Sequence, residues 1–99
     1  RLMTANLSDI AAMGGTPRQI VLSVAAPEYV DTAILDEVYR GIKDQCAKYH
    51  LNILGGDTVR TEGPMVWTVT IIGDVPKGTA IMRSGAQVGD IVGITNYVG

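Results

Sequence analysis

Between residues 31 and 49, Ile34, Val38, Ile42 and Cys46 recur every fourth position, joined by Leu35 and Tyr49, while Asp36, Glu37, Lys43, Asp44 and Lys48 fall off that stripe. An apolar repeat of this period, flanked by charge, belongs to a helix that buries one face and wets the other. The pattern predicts an amphipathic helix over 31–49. Asp31 is its expected N-cap, because a short carboxylate there can accept from the open N–H groups of the first turn. Such a helix needs an apolar surface to lie on, which the rest of the chain must supply. Gly41 inside it costs up to about 1 kcal/mol relative to alanine, so close packing or a ligand is expected on that side. Cys46, the one cysteine, falls on the apolar face and reads as buried filler with no internal disulfide open to it. His50, the one histidine, comes at the helix end, where a protonated ring suits the dipole.

The apolar surface comes from three runs. Residues 20–26 are apolar except for Ser23 and predict a strand covered on both faces, closed by Pro27. Residues 51–54 read as a short strand leading into Gly55-Gly56-Asp57-Thr58. Residues 65–72 predict a strand with Met65, Trp67, Val69 and Ile71 on one side and Val66, Thr68, Thr70 and Ile72 on the other. The turn residues Thr61-Glu62-Gly63-Pro64 between the last two suggest a hairpin. Further short strands are expected over 79–82 and 91–95, joined by a polar connection that carries Arg83 and Asp90. At the start, residues 3–13 predict a helix with Met3, Leu7, Ile10 and Ala11 as its apolar stripe, stopped by Gly14-Gly15-Thr16-Pro17. This order of elements implies an α+β domain: a mixed, mostly antiparallel sheet with helices packed on one face.

Ninety-nine residues, 46% hydrophobic and 18% charged, hold one core. The chain begins at Arg1 and stops at Gly99 after an apolar run, so residues 1–99 read as a single-domain fragment of a longer protein. A net charge of -2 with eight dispersed Lys and Arg argues against a nucleic-acid partner. No apolar run approaches the roughly 20 residues of a membrane span, and a lone cysteine leans towards the cytoplasm.

Within residues 6–15 the only ionisable group is Asp9. Helical spacing puts Asn6, Asp9 and Met13 to the side of the apolar stripe. Asp9 is then a solvent-facing residue, a partner of Ser8 in capping a later helix, or part of a site. A second isolated aspartate, Asp57, follows two glycines. If the two met at about 4 Å, repulsion on the order of 4 kcal/mol at an effective dielectric near 20 would call for a retained proton or a cation. Magnesium suits carboxylates and phosphates, whereas zinc would want a Cys and His cluster. The glycines let a backbone approach a phosphate and Thr58 adds a hydroxyl; by itself Gly-Gly-Asp is more often a turn. Neither a Walker lysine motif nor a Rossmann glycine fingerprint is present. Of the arginines, Arg83, followed by Ser84 and Gly85, is the better phosphate contact, while Arg60 reads as facing solvent beside its hairpin. Asp74 and Asp90 read as turn residues and Trp67 as core.

Together, Asn6-Leu7-Ser8-Asp9-Ile10-Ala11-Ala12-Met13-Gly14, then Gly55-Gly56-Asp57-Thr58 with Arg60, then Arg83-Ser84-Gly85-Ala86 ahead of Gly89-Asp90 resemble the thiamin-monophosphate kinase family. Its superfamily includes aminoimidazole ribonucleotide synthetase, selenophosphate synthetase and a hydrogenase maturation protein. The resemblance implies ATP-dependent phosphorylation of thiamin monophosphate to thiamin diphosphate by a homodimer whose amino-terminal domains pair. It implies magnesium at Asp9, bridging phosphates, and another ion at Asp57; it puts Gly56, Asp57 and Arg83 on ATP. Tyr39 stands where some members place an ATP-contacting tyrosine. No catalytic base is implied: the acceptor phosphate, with a second pKa of about 6, is already anionic near neutral pH, so catalysis rests on positioning and charge neutralisation.

The residues that bind thiamin are not identified by these motifs. The family's upstream Gly-Asp-Asp motif, a Thr-Asp metal segment and the carboxy-terminal domain lie outside the 99 residues, which are expected to be inactive alone. Thr95-Asn96-Tyr97-Val98-Gly99 has asparagine where the family usually has glycine. Two alternatives stand beside this reading: a sister enzyme such as selenophosphate synthetase, and a non-catalytic dimerisation domain whose glycines are only turns.

Overall fold

Among the described residues, Ile20, Leu22 and Val24 are the most deeply buried large side chains, and their alternate spacing puts all three on one face of a strand. The computed structural model describes residues 1–94, 96 and 97. In it, strand β1 (Thr16–Ala26) is the centre of a three-stranded sheet, parallel to β2 (Asn52–Arg60) on one side and antiparallel to β3 (Val66–Asp74) on the other. Across the antiparallel ladder Ile20, Leu22 and Val24 meet Ile71, Val69 and Trp67. Helix α1 (Leu2–Ala12) adds Met3 and Leu7 to this cluster, and helix α2 (Thr32–Tyr49) adds Ile42 and Cys46, with Leu51 beside them. The fold is therefore α+β, a mixed sheet with both helices contributing to the core on one face.

The expected hairpin does not form. Helix α2 returns the chain to the start of β1, and the crossover that results makes β1 and β2 parallel. β3 then takes the far side of β1, and the outer edge of β2 stays open. Strands two places apart are separated by about 10 Å, which the link 61–65 spans easily at about 3.3 Å per residue. Thr61 N–H donates to Ala26 O at 3.2 Å as the link passes the end of β1. Nor is β1 covered on both faces by the described residues. Ser23 is exposed and Val21 and Ala25 are only half-buried.

Helix α1 starts at Leu2, so Ser8 and Asp9 lie within it and cap nothing. Its stripe is narrower than expected: Met3 and Leu7 are buried, Ile10 is half-buried and Ala11 is exposed. Gly14, at φ +73°, turns the chain out of the helix, and its N–H donates to Ala11 O at 2.9 Å. In α2 the Asp31 carboxylate caps as expected, Oδ1 accepting from Ala33 N–H at 2.9 Å. Ile42 and Cys46 are buried, but Ile34 and Tyr49 at the two ends of the stripe are exposed. Nothing packs closely on Gly41, where an added Cβ would meet no atom within 4 Å. His50 takes a left-handed conformation that ends the helix, and Leu51 N–H donates to Cys46 O at 2.8 Å. Residues 79–82 and 91–94 form no strand. Thr95, Val98 and Gly99, on which part of the last expected strand and the carboxy-terminal asparagine comparison rest, lie outside the described residues.

Candidate functional site

The turn of α1 that buries Met3 and Leu7 leaves Asp9 exposed. Asp9, Ala12 and Met13 form one wall of a cleft of about 580 Å³, and Ile81, Met82, Arg83 and Ser84 form the other. The walls are joined by a backbone hydrogen bond, Ile81 N–H to Met13 O at 3.0 Å. The Ile81 side chain also lies over Gly14, close enough that a Cβ there would be 3.5 Å from its Cδ1. Asp9 and Arg83 make no hydrogen bond or ion pair among the described residues. A carboxylate and a guanidinium, far apart in sequence, thus share one open cleft with their hydrogen-bonding capacity unspent.

Asp57 stands elsewhere. Gly55-Gly56-Asp57-Thr58 is neither a turn nor the end of a short strand; it runs through the middle of β2. The register slips between Ile20 and Val21, which pair with Ile53 and Gly55, so Leu54 is passed over in a bulge. Gly56 has a structural cause of its own: a Cβ there would lie 1.7 Å from Leu22 O on the neighbouring strand. Asp57 pairs with Ser23, and its Oδ1 accepts from Thr58 N–H at 2.8 Å, leaving Oδ2 without a protein partner. Tyr39, Gly56 and Asp57 line a second cleft of about 400 Å³ with Leu22, Ile53, Gly55 and Thr58. The Tyr39 ring is set edge-on to Trp67, centroids 5.2 Å apart at 71°. Trp67 packs against the core as expected, with its Nε1 buried and unpartnered.

The expected site residues therefore divide into Asp9 with Arg83 and Tyr39 with Gly56 and Asp57. Asp9 and Asp57 line different clefts, and among the described residues no three His, Cys, Asp or Glu side chains gather as a metal cluster. Each aspartate offers exposed oxygen that fits a hard cation completing its shell with water and phosphate. Cys46 is in the core, where burial pushes its thiol pKa up, and is unsuited to such a site.

Other charges are already paired. Arg60 is exposed but reaches Glu28, Nη2 to Oε1 at 3.2 Å, and it stands at the end of β2 rather than beside a hairpin. Asp74 is not a turn residue: it ends β3 and holds Arg18 through two contacts of 2.8 and 3.2 Å, which keeps the guanidinium more firmly protonated. Asp90 does act in a turn, Oδ2 accepting from Gln87 N–H at 2.8 Å. Ile81 and Met82, two walls of the first cleft, carry no signal in the sequence beyond their place before Arg83.

Residues 1–75 match the family described as AIR synthase related protein, N-terminal domain, and the chain belongs to that family. Along its whole length it is similar to the thiamine-monophosphate kinase of Bacillus subtilis (strain 168), 40% identical over 99 residues that make up 30% of that protein. Two solved structures share the fold at a TM-score of 0.78. One, AaThiL complexed with AMPPCP and TMP, is 29% identical over 87% of this chain and 27% of that one. The other, thiamine-monophosphate kinase from Stenotrophomonas maltophilia K279a, is 35% identical over 89% of this chain and 27% of that one. The chain spans about a third or less of the length of these relatives.

Proposed function

We propose that this chain is part of an ATP-dependent kinase that converts thiamin monophosphate to thiamin diphosphate by direct phosphoryl transfer. The observation that carries the reading is the cleft shared by Asp9 and Arg83, on a chain similar throughout to thiamine-monophosphate kinases. Arg83 binds an ATP phosphate through its forked donors. Asp9 holds magnesium at the phosphates, and Asp57, through its open oxygen, holds a further ion. Magnesium supplies neutralisation of phosphate charge. Gly56, Asp57 and Tyr39 contact the nucleotide from the second cleft, Tyr39 having its ring already fixed by Trp67. No side chain has to remove a proton, because the acceptor is an anionic phosphate; His50, at the end of α2, is not needed.

The protein works in the cytoplasm as a homodimer, a second copy covering the open face of the sheet. The thiamin-binding residues belong to the remainder of the protein, so the 99 residues alone do not turn over.

The test is thiamin diphosphate formation by the full-length protein given ATP, magnesium and thiamin monophosphate, with Asp9→Asn and Asp57→Asn alongside. We expect each change to lower the rate by roughly a hundredfold or more, the scale of losing a preorganised electrostatic contact. Full activity in both variants would remove the two aspartates from the site. A folded protein that makes no thiamin diphosphate but splits ATP with another acceptor would be a sister enzyme.

A further inference from the structure

We infer that Ile81 is a positioning residue: its backbone N–H, bound to Met13 O at the end of α1, fixes Arg83 on the same cleft as Asp9. The inference rests on the nucleotide role proposed for Arg83.

Residues 75–84 contain no helix or strand, so no ladder of backbone bonds holds Arg83 in place. An arginine on such a segment loses both backbone and side-chain freedom when it takes up a phosphate. The bond from Ile81 to Met13, 3.0 Å long, removes part of that freedom beforehand. Met13 can accept it because the last carbonyls of a helix have no partner within the helix, and Met13 is the C-cap of α1. The Ile81 side chain lies on the same side, its Cδ1 and Cγ1 3.5 and 3.7 Å from where a Gly14 Cβ would be. Asp9 lies four residues before Met13, one turn back along the same helix. A rigid helix therefore links the two: fixing residue 81 on Met13 fixes Arg83 relative to Asp9.

The experiment measures binding of AMPPCP with magnesium to the full-length protein by calorimetry. Ile81→Pro removes the N–H, Ile81→Ala removes the side chain beyond Cβ, and Ile81→Val keeps the N–H and loses only Cδ1. Each is compared with Arg83→Ala and combined with it. Ile81→Pro is expected to weaken binding about threefold to tenfold, the range that one ordinary hydrogen bond gives. Ile81→Ala should weaken it less, and Ile81→Val should bind as the parent does. Because Ile81 acts through Arg83, none of these changes should matter further once Arg83 is alanine. Losses that add to that of Arg83→Ala would overturn the inference while leaving the kinase reading in place. An Arg83→Ala protein that binds the nucleotide normally would remove the role of Arg83, and the inference with it. If the proline variant does not fold, hydrogen exchange of the Ile81 amide in the full-length parent decides: protection is expected, and an amide that exchanges as freely as an unbonded one would overturn the inference.

Discussion

A Cβ at Gly56 would lie 1.7 Å from the carbonyl oxygen of Leu22, whereas at Gly41 it would meet nothing within 4 Å. The first clash is with the backbone of the central strand, which cannot give way without separating β1 from β2. Gly56→Ala should therefore destabilise the protein by about 3 kcal/mol or more, the upper range of overpacking. Gly41→Ala, in the middle of α2 and free of any clash, should stabilise it by about 0.5 to 1 kcal/mol through helix propensity alone. Urea unfolding of the two variants beside the parent measures both, and a Gly56→Ala protein as stable as the parent would contradict the close approach. In the sequence the two glycines cannot be told apart by local pattern. Gly41 interrupts a helical repeat and suggests close packing, which is not there, while Gly56 sits in a turn-like dipeptide yet lies inside β2 against the neighbouring strand.

At the scale of elements, α2 was legible because its four-residue repeat, its cap and its end all agree. Removing the cap tests how much the first turn depends on it: Asp31→Ala should cost about 1 kcal/mol, read from the unfolding midpoint, since only Ala33 N–H loses its partner. A cost near zero would mean that the first turn, whose Ile34 is exposed, frays without consequence. Strand pairing was less legible. Thr61-Glu62-Gly63-Pro64 carries the residues of a tight turn, but β3 pairs with the far side of β1 rather than with the open edge of β2, a choice that no turn residue encodes. The site divides along the same line. Asp9, Asp57 and Arg83 stand out locally as charges beside glycine or small residues, which is what makes them candidates from the sequence alone. Their assignment to two clefts follows from β2 entering the sheet parallel to β1, which no spacing within a motif encodes. The wall built by Ile81 and Met82 escaped because it depends on one backbone hydrogen bond between distant residues.

For the molecule as a whole, both helices contribute to the core from one face of the sheet, and the residues that alternate with that core form the other face. Val21, Ser23 and Ala25 of β1, Asp57 and Val59 of β2, and Val66, Thr68, Thr70 and Ile72 of β3 share it by register. Val59, Val66 and Ile72 are about half exposed, and every residue of β2 is exposed. A mostly β-branched face, charged only at Asp57 and at the Asp74–Arg18 pair at its end, has the composition of a buried surface more than a wetted one. A homodimer paired through it would bury the valines and isoleucine and cover the outer edge of β2 as well. Val66→Lys then puts an unpaired charge into that interface, so sedimentation of the full-length protein should show the mass halved, with circular dichroism unchanged. Tyr29→Lys, on an exposed connection away from the sheet, is the control that should stay dimeric. The same experiment bears on the site. Asp57 pairs with Ser23 and so emerges at this face, while the cleft of Asp9 and Arg83 is built by α1 and the segment after β3. A monomeric Val66→Lys protein should thus lose nucleotide affinity through Asp57 while the effect of Arg83→Ala persists. A Val66→Lys protein that remains dimeric would place the pairing surface elsewhere and leave the open face to another part of the same chain.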